Sequence, residues 1–342
     1  MTVDILRRAL NTERRRNARH ALATEVIVTA VDEALTRDPP RYKAQAFKPR
    51  KRGGVKLPEE IAVLQISDTQ IGKVTADYNS DIAEERISKL VERVIRITDV
   101  RRAGATINEI HVALDGDMVE GEAIFAHQAH TIDQSVFDQA INRGPRIFVD
   151  VILTLLKHFE RVKVFGICGN HGRNGPRNGG ANPRTNWDRV LYSTTRHILK
   201  GCAAAPRQDA NLNRLEFVVP DTFYYVDRIF GWGALHVHGH QINGGGAGFP
   251  ISGTTKKAFG WIDSIPTPWD YMYFGHFHTY TSGTLNHRVW FCNGTTESAN
   301  TFAQEQLAAT GDPVQRLQFY DETHGMIADY PIYLGGQRFP RT

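Results

Sequence analysis

The chain has 342 residues, 41% of them hydrophobic and 23% charged, with a formal net charge of +4, ordinary values for a globular protein with a sizeable core in one large or two smaller domains. No apolar run approaches the ~20 residues that a membrane-spanning helix needs, and the first residues lack a signal-peptide core with a cleavage site. Three cysteines (Cys168, Cys202, Cys292) without CxxC spacing exclude a disulfide framework, and the expectation is a reducing, cytoplasmic location.

Residues 1–56 hold 14 Lys/Arg and 6 Asp/Glu, a net +8, which leaves −4 for the remainder. A basic arm on a mildly acidic body is one charge pattern of nucleic-acid-binding proteins; a solvated extension, or one that docks on an acidic partner, gives the same pattern. Residues 4–36 predict helix, with Leu22/Val26, Ile27/Val31 and Val31/Leu35 spaced by four. Residues 41–59 read as a basic linker, broken at Gly53-Gly54. Strands and helices then alternate: strand Ile61–Ser67, helix Ile82–Arg102, strand Ile110–Leu114, and a helix within Ile132–Phe159, broken near Gly144-Pro145. Strand Val162–Ile167, a Gly/Pro/Asn-rich loop Asn170–Arg184, and helix Trp187–Leu199 with Asn186 as N-cap follow. The second half predicts strands Leu215–Val219, Thr222–Val226, Trp232–Val237, Tyr271–Phe274, Arg288–Cys292, Arg316–Tyr320 and Met326–Tyr330, with few helices and a Gly-rich loop, NGGGAGFP. Two packed sheets flanked by helices satisfy that order.

Five polar clusters each sit just past the end of a predicted strand: SDTQ (67–70), DGDMVEGE (115–122), CGNHGR (168–173), HVHGHQ (236–241) and FGHFHT (274–279). In open α/β sheets, ligands bind at the carboxyl ends of strands. Turn and cap chemistry also favours Asp and Asn at such places, but does not account for five such clusters in one chain. The residue types fit a pair of divalent ions about 3.5–4 Å apart that clamp an in-line phosphoryl displacement. That task needs a bridging carboxylate, imidazoles, and neutral oxygen ligands, which Asp, His and Asn supply. No Walker A loop is present, so P-loop NTP hydrolysis is not supported.

SDTQIGK, GDMVEG, GNH, HGH and GHFH, in this order, resemble the five signatures of the calcineurin-like metallophosphoesterase superfamily, over residues 58–334. SDTQIGK is similar to the SDxHxGK start of SbcD-type DNA repair nucleases. GDMVEGEAIFAHQ is similar to a segment of the small subunit of archaeal family-D DNA polymerases. The resemblance implies an α/β fold: a four-layer α/β/β/α sandwich of two mixed sheets flanked by helices. It divides the chain into a basic helical arm and linker, 1–57, and a metallophosphoesterase domain, 58–342. It also implies two divalent ions, Mn²⁺ first, with Mg²⁺, Fe²⁺ or Zn²⁺ as alternatives. Carried over by position, Asp68 and His278 hold the first ion, Asn170 and His276 the second, and Asp117 bridges both. His171 becomes the catalytic histidine, as general acid or charge stabiliser. His236 and His238 share one strand face; Gly239 lets the chain turn, so His238 is preferred as ligand, with His240 outside the ligand set.

Gln70 stands where relatives carry His. It reads as a neutral oxygen ligand, a weaker donor than imidazole; alternatively it holds a metal-bound water or misses the metal. Asp115 reads as a turn or supporting residue. Glu120, Arg173, His127 and His130 have no assigned role. The implied function is a phosphodiesterase that hydrolyses nucleic acid, first a DNA exo- or endonuclease, with the ATPase partner that such repair nucleases usually have. The alternatives are a phosphatase, a cyclic-nucleotide or small-molecule diesterase, and a non-catalytic polymerase-accessory subunit. Protein phosphatases of the superfamily carry GDxxDRG and GNHE; GDMVEGE and GNHGR lack the Arg that grips a monoester in the first of these.

Overall fold

The computed structural model describes residues 57–125, 128–174, 182–204, 212–243, 249–298 and 312–335, with single positions 26, 29, 33 and 47. Within the predicted arm, Val26, Thr29 and Glu33 are helical. Apart from Phe47, the rest of residues 1–56, with His127 and most of the Gly-rich loop, lies outside the described residues.

In chain order the first half holds β1 (Glu59–Ile66), α1 (Ser80–Arg101), β2 (Thr106–Leu114), a π-helical stretch (Asp138–Arg143), α2 (Gly144–His158), β3 (Arg161–Gly166), and α3 (Trp187–Ala204). The second half holds β4 (Leu215–Val218), β5 (Tyr224–Ile229), β6 (Trp232–Val237), α4 (Ile251–Ser264), β7 (Tyr271–Phe274), β8 (Thr281–Leu285), β9 (Arg288–Cys292), β10 (Val314–Asp321) and β11 (Gly325–Tyr333). One sheet has the order β11-β10-β1-β2-β3-β4, the other β5-β6-β7-β9-β8. In the first, β1 to β4 run parallel and β10 is antiparallel to its neighbours. In the second, β6, β7 and β9 run parallel between antiparallel edges.

Side-chain alternation along a strand sorts the apolar residues into three cores. In β1, Ala62, Leu64 and Ile66 pack under the helices, while Ile61 and Val63 face the other sheet. In β7, Tyr271 and Tyr273 meet Ile61, Val63 and Tyr320 between the sheets, while Met272 and Phe274 pack with Ala258 and Trp261 of α4. Helix α1 starts at Asn79, whose side chain accepts from the Ile82 N–H at 2.9 Å, and buries Ala83, Ile87, Leu90, Val91 and Val94 on one face. The result is the expected four-layer α/β/β/α sandwich. Among the described residues, no helix is long and apolar enough to cross a membrane.

One local expectation needs correction, and two elements have no counterpart in the sequence reading. The helix is not broken at Gly144-Pro145: a π-helical stretch runs straight into α2, with Gly144 in helical geometry. Proline lacks the N–H that would bond one turn back, so the change of register falls where that bond is missing. Helix α4 was not predicted: ISGTTKKAFGWIDS carries two glycines and several β-branched residues, poor helix formers, and its buried face, Gly253, Thr254, Ala258 and Trp261, is mostly small. Strand β8, TSGTL, was also not predicted; it lies on a sheet edge and shows no apolar alternation.

Candidate metal centre

The parallel strands of both sheets finish at one edge, and the loops that follow are laced together. The Asp68 N–H donates to the Gly116 carbonyl at 3.0 Å, the Gln70 N–H to Asp117 at 2.9 Å, and the Gly275 N–H to His238 at 2.8 Å. Across the sheets, the His276 N–H lies 3.1 Å from both Asp68 carboxylate oxygens. Seven non-glycine residues among those described have positive φ, and five are Asp68, Gln70, Asp117, His276 and His278. Such backbone costs ~1–3 kcal/mol per residue and persists where the surroundings enforce it, typically at functional sites. Two glycines are required by close approach: a Cβ on Gly169 would sit 2.1 Å from Asp117 Oδ1, and one on Gly275 2.2 Å from Asp68 Oδ2.

Asp117, His238 and His276 bring one donor atom each to within 4.8 Å of one another. His238 is fully buried. Its Nδ1–H donates to the Asp115 carbonyl at 2.8 Å, so Nε2 presents its donor face to Asp117 Oδ2 at 2.9 Å. That backbone contact fixes the tautomer a metal-bound histidine needs. Among the described residues, Asn170 Oδ1 is buried without a hydrogen-bond partner, and Asp117 Oδ2 and His238 Nε2 are buried with only each other at 2.9 Å. Buried polar atoms are normally satisfied, and a shared cation would satisfy all three. Without an ion, Asp117 and His238 favour each other's charged forms, and a cation would take the place of the His238 proton. Burial works against charge on His238, yet Asp117 lifts its pKa to about 9. Burial also opposes charge on Asp117, yet His238 and His171 hold its carboxyl well below the usual range. His276 is pushed well below the usual histidine range by burial and by His238, which leaves a neutral imidazole suited to ligation. His236 points elsewhere: its Nδ1 meets Asp115 at 3.0 Å and its ring stacks on Tyr273.

On the other side lie Asp68, Gln70 and His278. His278 Nε2 is 3.3 Å from Asp68 Oδ1, and its Nδ1 is 2.7 Å from Glu297 Oε1. Burial opposes charge on His278, but Glu297 and Asp68 raise its pKa to about 10. The Gln70 amide nitrogen is 3.4 Å from Nε2 of both His171 and His278. Its amide oxygen accepts from Lys73 Nζ at 2.7 Å. Lys73 Nζ also lies 2.5 Å from Glu297 Oε2.

His171 faces the same space. Its backbone N–H donates to Asp117 Oδ1 at 2.7 Å. Its Nδ1 lies 3.1 Å from the Glu120 carbonyl and 3.0 Å from Glu120 Oε2, so Nδ1 donates there and Nε2 points into the site. Burial lowers its pKa, but Glu120 and Asp117 raise it above the ordinary histidine value. Phe125, 42% exposed, sits edge-on to the ring with centroids 5.6 Å apart.

Sequence reasoning missed three residues. Glu297 belongs to a sixth polar cluster, NGTTE (293–297), just past β9; the position was the signal, but it holds no histidine. Lys73 lies within SDTQIGK, where the resemblance gives it no role. Asp188, fully buried, accepts from the N–H groups of Asp117 (3.0 Å), Gly169 (2.8 Å), Met118 (3.0 Å) and Val119 (3.2 Å). Of the residues without an assigned role, Glu120 orients His171, and Arg173 donates through Nε to the Asn170 carbonyl at 2.9 Å. His130 is exposed in a short 3₁₀ turn. The expected cap is present: Asn186 Oδ1 accepts from the Asp188 N–H at 2.8 Å.

Among the described residues, Asp117, His238 and His276 form a group with the donor types and spacing to hold one divalent metal ion. No protein-family model and no curated protein matches the chain. Among solved structures it is similar to Vps29 from Entamoeba histolytica complexed with Zn²⁺ (12% identity over 80% of this chain and 99% of that one, TM-score 0.34). It is similar to a hypothetical protein from Pyrococcus horikoshii (13% identity, 81% of this chain and 89% of that one, TM-score 0.40). A third is a predicted phosphoesterase from Streptococcus pneumoniae (10% identity, 80% and 98%, TM-score 0.30). These are distant resemblances, and the chemistry of the site stands on its own geometry.

Proposed function

We propose that the chain is a calcineurin-like phosphodiesterase that hydrolyses nucleic acid, DNA in the first place, with two divalent ions, Mn²⁺ first. The observation that carries this is the buried cluster of donor atoms from Asp117, His238 and His276 within 4.8 Å of one another, with the unpartnered Asn170 Oδ1 and His171 Nε2 beside it. Asp117, Asn170, His238 and His276 would hold one ion; Asp68, Gln70 and His278, with Asp117 shared, would hold the other. Bound there, the ions supply Lewis acidity toward the phosphoryl group and a nucleophile at neutral pH. The protein's own contribution is positioning. The Asp115 carbonyl and Glu297 aim the imidazoles of His238 and His278. Glu120 holds His171 so that Nε2 can pass a proton to the leaving oxygen.

Three features favour a nucleic-acid diester. The half-exposed Phe125 beside His171 offers a face on which a base can stack. The arm over 1–56 carries +8. GDMVEGE lacks the monoester-gripping Arg. An ATPase subunit remains the partner that the nuclease resemblance implies. The test is turnover with Mn²⁺ of labelled single- and double-stranded DNA beside bis-p-nitrophenyl phosphate and p-nitrophenyl phosphate. DNA and the diester should be cut and the monoester spared; intact DNA with rapid monoester cleavage refutes the reading.

A further inference from the structure

Lys73 is built into the half of the centre that contains Gln70. Residues 70–73 form a turn, closed by the Lys73 N–H donating to the Gln70 carbonyl at 3.0 Å. Gly72 holds that turn with φ +102 and packs so tightly on Gln139 that a Cβ would lie 2.2 Å from its amide nitrogen. Gln139 in turn accepts from the Gly121 N–H at 3.0 Å, and it sits in the π-helical stretch ahead of α2. The lysine stem is therefore anchored at its base. The side chain is 15% exposed, and its ammonium is fixed at the tip by Gln70 Oε1 at 2.7 Å and Glu297 Oε2 at 2.5 Å.

The two halves of the centre thus differ. Around Asp117, among the described residues, Asn170 Oδ1 has no protein partner and Asp117 Oδ2 and His238 Nε2 face only each other, with no lysine ammonium or arginine guanidinium placed among them. Around Asp68, the neutral oxygen of Gln70 already serves a cation that the chain supplies, and Glu297 divides its two oxygens between that cation and His278. A divalent ion taking the Gln70 oxygen would share it with an ammonium at hydrogen-bond distance, and two cations that close repel strongly in a site shielded from water.

We propose that Lys73 is a tethered competitor for the second divalent ion, so that ions load in order: first at Asp117–Asn170–His238–His276, then at Asp68–Gln70–His278 as the ammonium withdraws. This rests on the two-ion reading above. The test is Mn²⁺ titration of the full chain by calorimetry and electron paramagnetic resonance, for the wild type, Lys73→Met, Lys73→Gln and Lys73→Arg, with folding checked by near-UV circular dichroism. The wild type should bind one ion tightly and one weakly. Lys73→Met and Lys73→Gln should tighten the weak ion about tenfold or more and leave the tight one unchanged, whereas Lys73→Arg should keep the wild-type gap. If Lys73→Met does not fold, Lys73→Gln and Lys73→Arg carry the comparison. Equal tightening in the arginine variant, an unchanged weak ion in the neutral variants, or a weaker one overturns the proposal. One bound ion in every variant overturns it together with the two-ion part of the reading above, whereas phosphodiester turnover tests the hydrolysis itself separately.

Discussion

Asp188 ties two of the site's loops to the start of α3, and its removal has a computable cost. Four backbone N–H groups, from Asp117, Met118, Val119 and Gly169, converge on its buried carboxylate within 3.2 Å. Asp188→Ala leaves all four without their acceptor. At ~1–3 kcal/mol for each buried unsatisfied group, the loss is at least about 4 kcal/mol, a large share of the ~5–15 kcal/mol that holds a typical domain. Asp188→Asn is milder. One oxygen still accepts, but an NH₂ now faces two of the donors. The loss is partly offset, because burial, and then repulsion from Asp117, already push the Asp188 carboxyl up to about 6. Urea unfolding followed by tryptophan fluorescence should place Asp188→Asn ~1–3 kcal/mol below the wild type. Its phosphodiesterase activity should fall at least about tenfold, because small misplacement of reacting groups is costly. An Asp188→Ala protein within about 1 kcal/mol of wild type, with native activity, would refute the reasoning; losses from named buried-polar defects are of this larger kind.

Three further outcomes are expected. His171→Ala should lower kcat by ~10²–10⁴, the range of general acid catalysis, with Mn²⁺ affinity by calorimetry unchanged; a variant that loses the metal instead would make His171 a ligand. His111, buried between Asp227 at 2.5 Å and Glu109 at 3.0 Å, has burial working against its charge, but Asp227 lifts its pKa to about 9. A raised histidine stabilises fully below its unfolded value near 6.5, and that stability drains as pH rises through 9, a swing of about 3 kcal/mol. The slope of stability between pH 6.5 and 9 should therefore flatten in His111→Gln. Deletion of residues 1–56 should weaken DNA binding and flatten its salt dependence, since each lost phosphate contact removes released counterions; an unchanged slope would take the arm out of the interface.

Much of the site was legible because its residues carry chemistry that strand ends rarely need. Asp68, Asp117, Asn170, His276 and His278 stood out by type and by place, and Gly239 separated His238 from His236 by marking where β6 must end. Supporting residues were harder to read. Asp188 looks like an ordinary first-turn acid of α3, and only the three-dimensional convergence of four N–H groups gives it a role. Lys73 and Glu297 are 224 residues apart in sequence yet form one ion pair at 2.5 Å, a contact that no local pattern encodes. The Gln70 substitution read as a weaker ligand; the structure adds that its oxygen is held by Lys73. The elements that escaped, α4 and β8, owe their form to tertiary packing and edge pairing rather than to propensity or apolar periodicity.

The central claim is that metal held by Asp117 and its neighbours drives phosphodiester cleavage of nucleic acid. Its most direct test is cleavage of end-labelled DNA with Mn²⁺ by the wild type and by Asp117→Asn, alongside the folding of each. The wild type should cut DNA, and Asp117→Asn, still folded, should lose the bulk of that activity together with its tight Mn²⁺ site. Full cleavage by a folded Asp117→Asn protein would contradict it.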